Sequence, residues 1–166
     1  DGTTLILIKI PFYEGENLDV PYSTIPLGII STDTHVVTVC RRSNSILEEL
    51  NRSKHKGIST AKRVRFTLRI LLFSALKFLA YLRQINYQVD LVEDKLQASM
   101  RNKEVLDLLK YQKSLVYFET ALKSNELMLE RLQKTAIFHR FAEDEDLLED
   151  VLTENQQAIE MVAIAE

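Results

Sequence analysis

The residues best suited to chemistry lie near the end of the chain, where Glu143, Asp144, Glu145, Asp146, Glu149, Asp150 and Glu154 follow one another closely. Carboxylates are hard oxygen ligands that suit Mg²⁺ or Ca²⁺. Asp146 and Asp150 are four residues apart, and so are Asp150 and Glu154. On a helix each pair shares a face. One helix cannot encircle a cation, so partner ligands or waters would have to complete the shell. The alternative is electrostatic, because acidic side chains are favoured at the positive end of a helix dipole. That accounts for Glu143 to Asp146. It accounts less well for Asp150 and Glu154, which lie past a first helical turn.

Other chemistry has little support. There is no glycine-rich phosphate loop, nucleophile elbow or Cys/His metal spacing. His35, His55 and His139 are far apart. His35 is expected to pair across a hairpin, His55 to lie in a solvated loop, and His139 to sit at a helix end that favours a cation. The one cysteine, Cys40, falls in an apolar strand pattern and reads as an inert buried thiol. No catalytic residues and no enzyme activity are therefore expected. Basic residues gather from Arg41 to Arg69, among them Arg52, Arg63 and Arg65, while Glu143 to Glu166 contains no Lys or Arg. The basic stretch lacks interleaved aromatics, and the net charge is −3, so nucleic acid is not an expected partner. The asymmetry implies that the chain binds something charged, or that its two halves meet.

The elements that must position these residues follow from spacing. Leu82, Ile85, Val89, Val92 and Leu96 repeat at three and four residues. After a polar break (Ser99, Arg101, Asn102, Lys103) the rhythm returns at Leu108, Tyr111, Leu115, Phe118, Leu122, Leu129 and Leu132. A 3.5-residue period keeps one apolar seam facing a partner helix. Two such helices joined by a short turn, with Ser99 and Asn102 as caps, make an antiparallel hairpin. Only Asn125 interrupts the seam, and a lone polar seam residue can set helix register. The first helix is expected from Ser59 or Thr60 to about Gln97, its apolar start packed under a sheet and its end projecting with its partner. The return helix is expected from about Lys103 to Thr135, and a third helix from Asp144 or Asp146.

Upstream, Thr4 to Ile10 is a β-branched strand that Pro11 should end. Thr24 to Ser31 and His35 to Cys40 form a hairpin around Thr32, Asp33 and Thr34. Ser43 to Leu50 reads as a short helix capped by Ser43 or Ser45, and Asn51 to Gly57 as a basic loop. The fold class is α+β and mostly helical, with a three-stranded sheet belonging to a larger one. The apolar run Ile70 to Leu82 is too short and too charged to span a bilayer. The chain starts at Asp1 before a strand and ends at Glu166 inside a helical pattern, so it is expected to be a fragment.

Several stretches together resemble the CorA family of magnesium and divalent-cation transporters. Val20-Pro-Tyr-Ser-Thr-Ile-Pro-Leu-Gly-Ile-Ile-Ser-Thr-Asp and His35-Val-Val-Thr-Val-Cys resemble the last sheet strands of that family. Lys113-Ser-Leu-Val-Tyr-Phe-Glu-Thr-Ala-Leu-Lys-Ser-Asn-Glu is similar to a return-helix stretch of bacterial CorA-like proteins. The resemblance implies a homopentameric ion channel of the inner membrane, whose cytoplasmic domain senses Mg²⁺ between subunits to gate the pore. It implies the last part of the sheet domain at residues 1–58, the hairpin at 59–140, and the start of a stalk helix at 141–166. The membrane is then met only through transmembrane helices outside this chain. In Leu148-Glu-Asp-Val, Asp150 aligns with the stalk carboxylate that helps hold the regulatory ion, and Glu149 is its neighbour. The carried ion is Mg²⁺ by family default, with Co²⁺, Ni²⁺ or Zn²⁺ in related members. The hairpin mixes Asp90, Glu93 and Asp94 with Lys95, Arg101 and Lys103, unlike the family's densely acidic one. The competing reading is a non-catalytic coiled-coil scaffold that needs neither metal nor membrane.

Overall fold

A computed structural model describes residues 2–52, 61–99 and 102–165. Three antiparallel strands come first: β1 (Thr4–Tyr13), β2 (Tyr22–Ser31) and β3 (Val36–Cys40), in the order β1-β2-β3. Four helices follow: α1 (Ser45–Arg52), α2 (Arg63–Ser99), α3 (Asn102–Gln133) and α4 (Ala142–Ala165). A 3₁₀ turn, Ala136–His139, joins α3 to α4. The mostly helical α+β class expected from sequence is the class observed.

Period-two alternation gives the sheet one buried face. Ile6, Ile8 and Ile10 of β1 and Ile25, Leu27 and Ile29 of β2 point to the helices. Leu5, Leu7, Val37 and Val39 lie on the opposite face and are exposed. Leu68, Ile70 and Leu71 at the start of α2 share the sheet's core, as expected for its apolar first half.

Pro11 does not end β1, which continues to Tyr13. Residue Lys9 turns its N–H and C=O away from β2, toward Asn125. Pro11 stands two residues on and so points its missing donor to the same outer edge, where no ladder bond is lost. Pro26 of β2 is tolerated for a related reason. It lies one residue beyond the Leu27–Cys40 pair that closes the ladder with β3.

Local corrections have equally plain causes. The cap of α1 is Asn44, whose Oδ1 accepts the Leu47 N–H at 3.0 Å; Ser43 bonds Glu48 instead. The His35 ring bonds Thr34 inside the turn at 2.7 Å, while its backbone pairs across the hairpin with Thr32, the His35 carbonyl accepting the Thr32 N–H at 2.8 Å and the His35 N–H donating to Thr32 Oγ1 at 2.9 Å. Cys40 is half-buried, with its thiol donating to the Pro26 carbonyl at 3.4 Å. Helix α1 takes in Asn51 and Arg52. The rest of the expected basic loop, His55, and the expected caps Ser59 and Thr60 lie outside the described residues, as does the turn between α2 and α3.

The apolar seams of α2 and α3 do face each other, but not alone. Ala158 and Val162 of α4 join Leu79, Leu82, Ile85, Val92, Tyr111, Leu115 and Phe118 in one core. Helix α4 thus packs against both helices of the hairpin. At the centre of this core Phe78 and Phe118 meet edge to face at 5.0 Å, and Tyr22 of β2 packs on Phe118.

Candidate functional site

Helix α4 carries the acidic residues singled out by sequence, and its burial pattern sorts them. Asp144, Leu148, Val151, Asn155, Ala158 and Val162 are buried at alternating spacings of four and three, and Leu147 is buried beside Leu148. That is the side applied to α2 and α3. Glu149, Asp150 and Asp146 fall between these positions and are exposed. Glu154 is half-buried.

Two polar anchors hold the start of α4. At the start of α4, Arg65 in the first turn of α2 donates from Nε to Asp144 Oδ1 at 2.8 Å and from Nη1 to Glu143 Oε2 at 2.6 Å. Asp144 is only 3% exposed. The two carboxylates raise the Arg65 pKa above its ordinary value, the hydrogen bond to Asp144 contributing most. Asp144 thus serves a long-range ion pair as well as the helix dipole. The charge asymmetry has its second explanation here, since the basic and acidic parts of the chain meet through Arg65. Just before α4, His139 bonds the Gln133 carbonyl and, at 2.9 Å, Glu145 Oε1. Both contacts raise its pKa, the backbone bond foremost.

Asp146, Glu149 and Asp150 enter none of the ion pairs found among the described residues. Nor do the described residues bring three His, Cys, Asp or Glu side chains together around a point that could hold a metal. Exposed, adjacent carboxylates can supply two hard oxygen ligands to a divalent cation, with waters or another subunit supplying the rest.

Several basic residues are engaged within the chain. Arg42 binds Glu14 at 2.7 Å and lies 3.8 Å above the Phe12 ring, and Lys77 reaches Glu49 at 3.6 Å. Sequence reasoning did not single out Ser114, Gln84 or the pairing of Arg65. Ser114 accepts the Tyr22 N–H at 3.1 Å, and Gln84 accepts the Tyr22 hydroxyl at 3.1 Å. A serine inside an apolar seam was the available signal for the first; nothing local marks the second.

A family model described as CorA-like Mg²⁺ transporter protein matches residues 1–166. Among curated proteins no sequence matches. The soluble domain of CorA from Methanocaldococcus jannaschii superposes with a TM-score of 0.86 at 23% identity, over 99% of this chain and 65% of that one. The complete CorA magnesium transporter of the same organism gives 0.82 at 25% identity, over 99% and 51%. The ZntB cytoplasmic domain from Vibrio parahaemolyticus gives 0.66 at 13%, over 99% and 67%. The chain thus spans about half the length of the complete CorA structure. No described helix is long and apolar enough to cross a membrane. With the family model matched from end to end and the CorA fold reproduced, the chain belongs to the CorA-like Mg²⁺ transporter family.

Proposed function

We propose that this chain is a regulatory, cytoplasmic part of a homopentameric transporter of the inner membrane, with Mg²⁺ as both the carried and the sensed ion. The observation that carries this reading is the two-sidedness of α4. Its inner side is bound to α2 and α3, while Asp150 and Glu149 face outward. Outward carboxylates are available to an ion held jointly with a neighbouring subunit. Carboxylates facing each other across such an interface repel, and a divalent cation offsets the repulsion. When the ion leaves, the subunits separate, and a helix fixed to its own body carries that displacement onward. In this reading residues 1–58 close the sheet domain, 59–140 form the hairpin, and 141–166 begin the stalk. Magnesium is the ion of the complete CorA transporter from Methanocaldococcus jannaschii, which is 25% identical to this chain. Co²⁺, Ni²⁺ and Zn²⁺ are the alternatives to test beside it.

The test is ion flux in liposomes containing the whole transporter, measured at low and high internal Mg²⁺. Asp150→Ala should remove the suppression of flux by high internal Mg²⁺ while leaving flux at low Mg²⁺ near the parent level. Unchanged suppression would remove Asp150 from the sensor.

A further inference from the structure

Three buried polar side chains from three helices converge where β1, α2, α3 and α4 meet. They are Ser74 of α2, Asn125 of α3 and Asn155 of α4, at 3%, 6% and 4% exposure. They line a small cavity together with apolar groups of Ile8, Leu71, Leu129 and Val151. The Ser74 hydroxyl oxygen is fully enclosed and has no hydrogen-bond partner among the described residues. A buried hydroxyl left unpaired costs about 1–3 kcal/mol, so such groups are almost always satisfied.

The cavity supplies the means. Its volume is about 10 Å³. That is at the lower end of the roughly 10–15 Å³ that a single water needs. The amides around it have capacity to spare. Asn125 Oδ1 accepts one N–H, from Lys9, and a carbonyl oxygen has two lone pairs. Asn155 Nδ2 reaches the Leu122 carbonyl only at 3.4 Å, and an NH₂ group has a second hydrogen to donate. A buried water typically makes about three hydrogen bonds to groups of this kind.

We propose that this cavity is a binding site for one water molecule, which bonds Ser74 Oγ and the amides of Asn125 and Asn155 and so ties α2, α3 and α4 at one point. The node lies midway along α4, between the Arg65 anchor and the apolar contacts of Val162. Apolar contacts are non-directional and allow a helix to slide. A three-way hydrogen-bonded node sets the axial register of α4 against the helices beneath it.

The unmodified chain gives the direct test. Cross-relaxation between a long-lived water and the Ser74 amide, or an ordered water at Ser74 Oγ in a crystal, is the expected result, and a dry cavity overturns the proposal. Ser74→Ala gives the energetic test. If water bonds Ser74, the change leaves that water short of a partner and the unfolding constant rises roughly five-fold. If the cavity is dry, the change removes an unpaired hydroxyl and stabilises the chain. Alanine also favours helix, so the exposed α3 substitution Ser124→Ala supplies the reference. Against that reference, a Ser74→Ala chain as stable as its parent, or more so, overturns the proposal.

Discussion

Asn125 pairs with Lys9 as a neighbouring strand would. Its amide oxygen accepts the Lys9 N–H at 2.9 Å, and its amide nitrogen donates to the Lys9 carbonyl at 2.7 Å. One side chain of α3 thereby satisfies both outward-facing backbone groups of Lys9 in β1. Replacing it should strand two polar groups at a partly buried place. Asn125→Leu is expected to cost about 2–4 kcal/mol, from two groups at about 1–3 kcal/mol each with some relaxation. Asn125→Asp keeps the acceptor but turns a carboxylate oxygen toward the Lys9 carbonyl, and should also destabilise. Urea unfolding midpoints measure both, and a neutral Asn125→Leu would mean that water already serves that edge.

The Arg65 clamp should be unequal in its two arms. Glu143 is well exposed, and Glu143→Gln is expected to stay within about 0.5 kcal/mol of the parent. Asp144 is enclosed, so Asp144→Asn should destabilise clearly, because it leaves Arg65 facing a neutral group. A double-mutant cycle with Arg65→Met should show positive coupling to Asp144 and little to Glu143. Equal coupling to both would contradict the burial argument.

His139 should make stability pH-dependent. A carbonyl and a carboxylate can only accept, so the contacts to Gln133 and Glu145 use both ring nitrogens as donors and favour the charged ring. The folded pKa is raised above the ordinary 6.5. The charged ring therefore contributes its stabilisation fully below the unfolded pKa, and loses it as pH rises through the folded one. Unfolding midpoints followed from roughly pH 6 to 8 should fall with pH, and His139→Gln should flatten that slope. An NMR titration with the His139 midpoint at or below the ordinary value would contradict the reading.

The aromatic centre between α2 and α3 should be the least tolerant part of the core. Phe78 and Phe118 are wholly buried and meet edge to face. Phe118→Ala is expected to cost about 3–5 kcal/mol, a large share of the roughly 5–15 kcal/mol typical of a whole domain. Tyr117, its neighbour, is exposed, and Tyr117→Ala should change the midpoint little. The contrast between adjacent residues checks the register of α3 directly by circular dichroism.

Most elements were legible in the sequence because their signals are local. A strand alternates every two residues and a helix buries every third or fourth, whatever it packs on. That spacing, with β-branched runs, turn residues, caps and the acidic start of the last helix, marked three strands, a short helix, two long helices and an acidic third helix, most of them within a few residues of their observed ends. The runs Val20 to Asp33, His35 to Cys40 and Lys113 to Glu126 carried the resemblance to the CorA family, which the end-to-end family match bears out. The Pro11 and Ser43 expectations failed because a proline is judged by which edge its nitrogen faces, and a cap by which oxygen reaches first.

What only the tertiary structure decided was the partner of each polar group. Asn125 looked like a register device within a seam, yet its partner is a strand 116 residues away. Arg65 and Asp144 are 79 residues apart, and neither names the other locally. Apolar spacing tells a helix which side to bury but not how many neighbours will share it. The seam of α2 and α3 therefore could not announce that α4 would fill the groove between them. The sequence determined the elements and the buried side of each. Docking decided which donor met which acceptor, because that depends on where two separately determined surfaces come to rest.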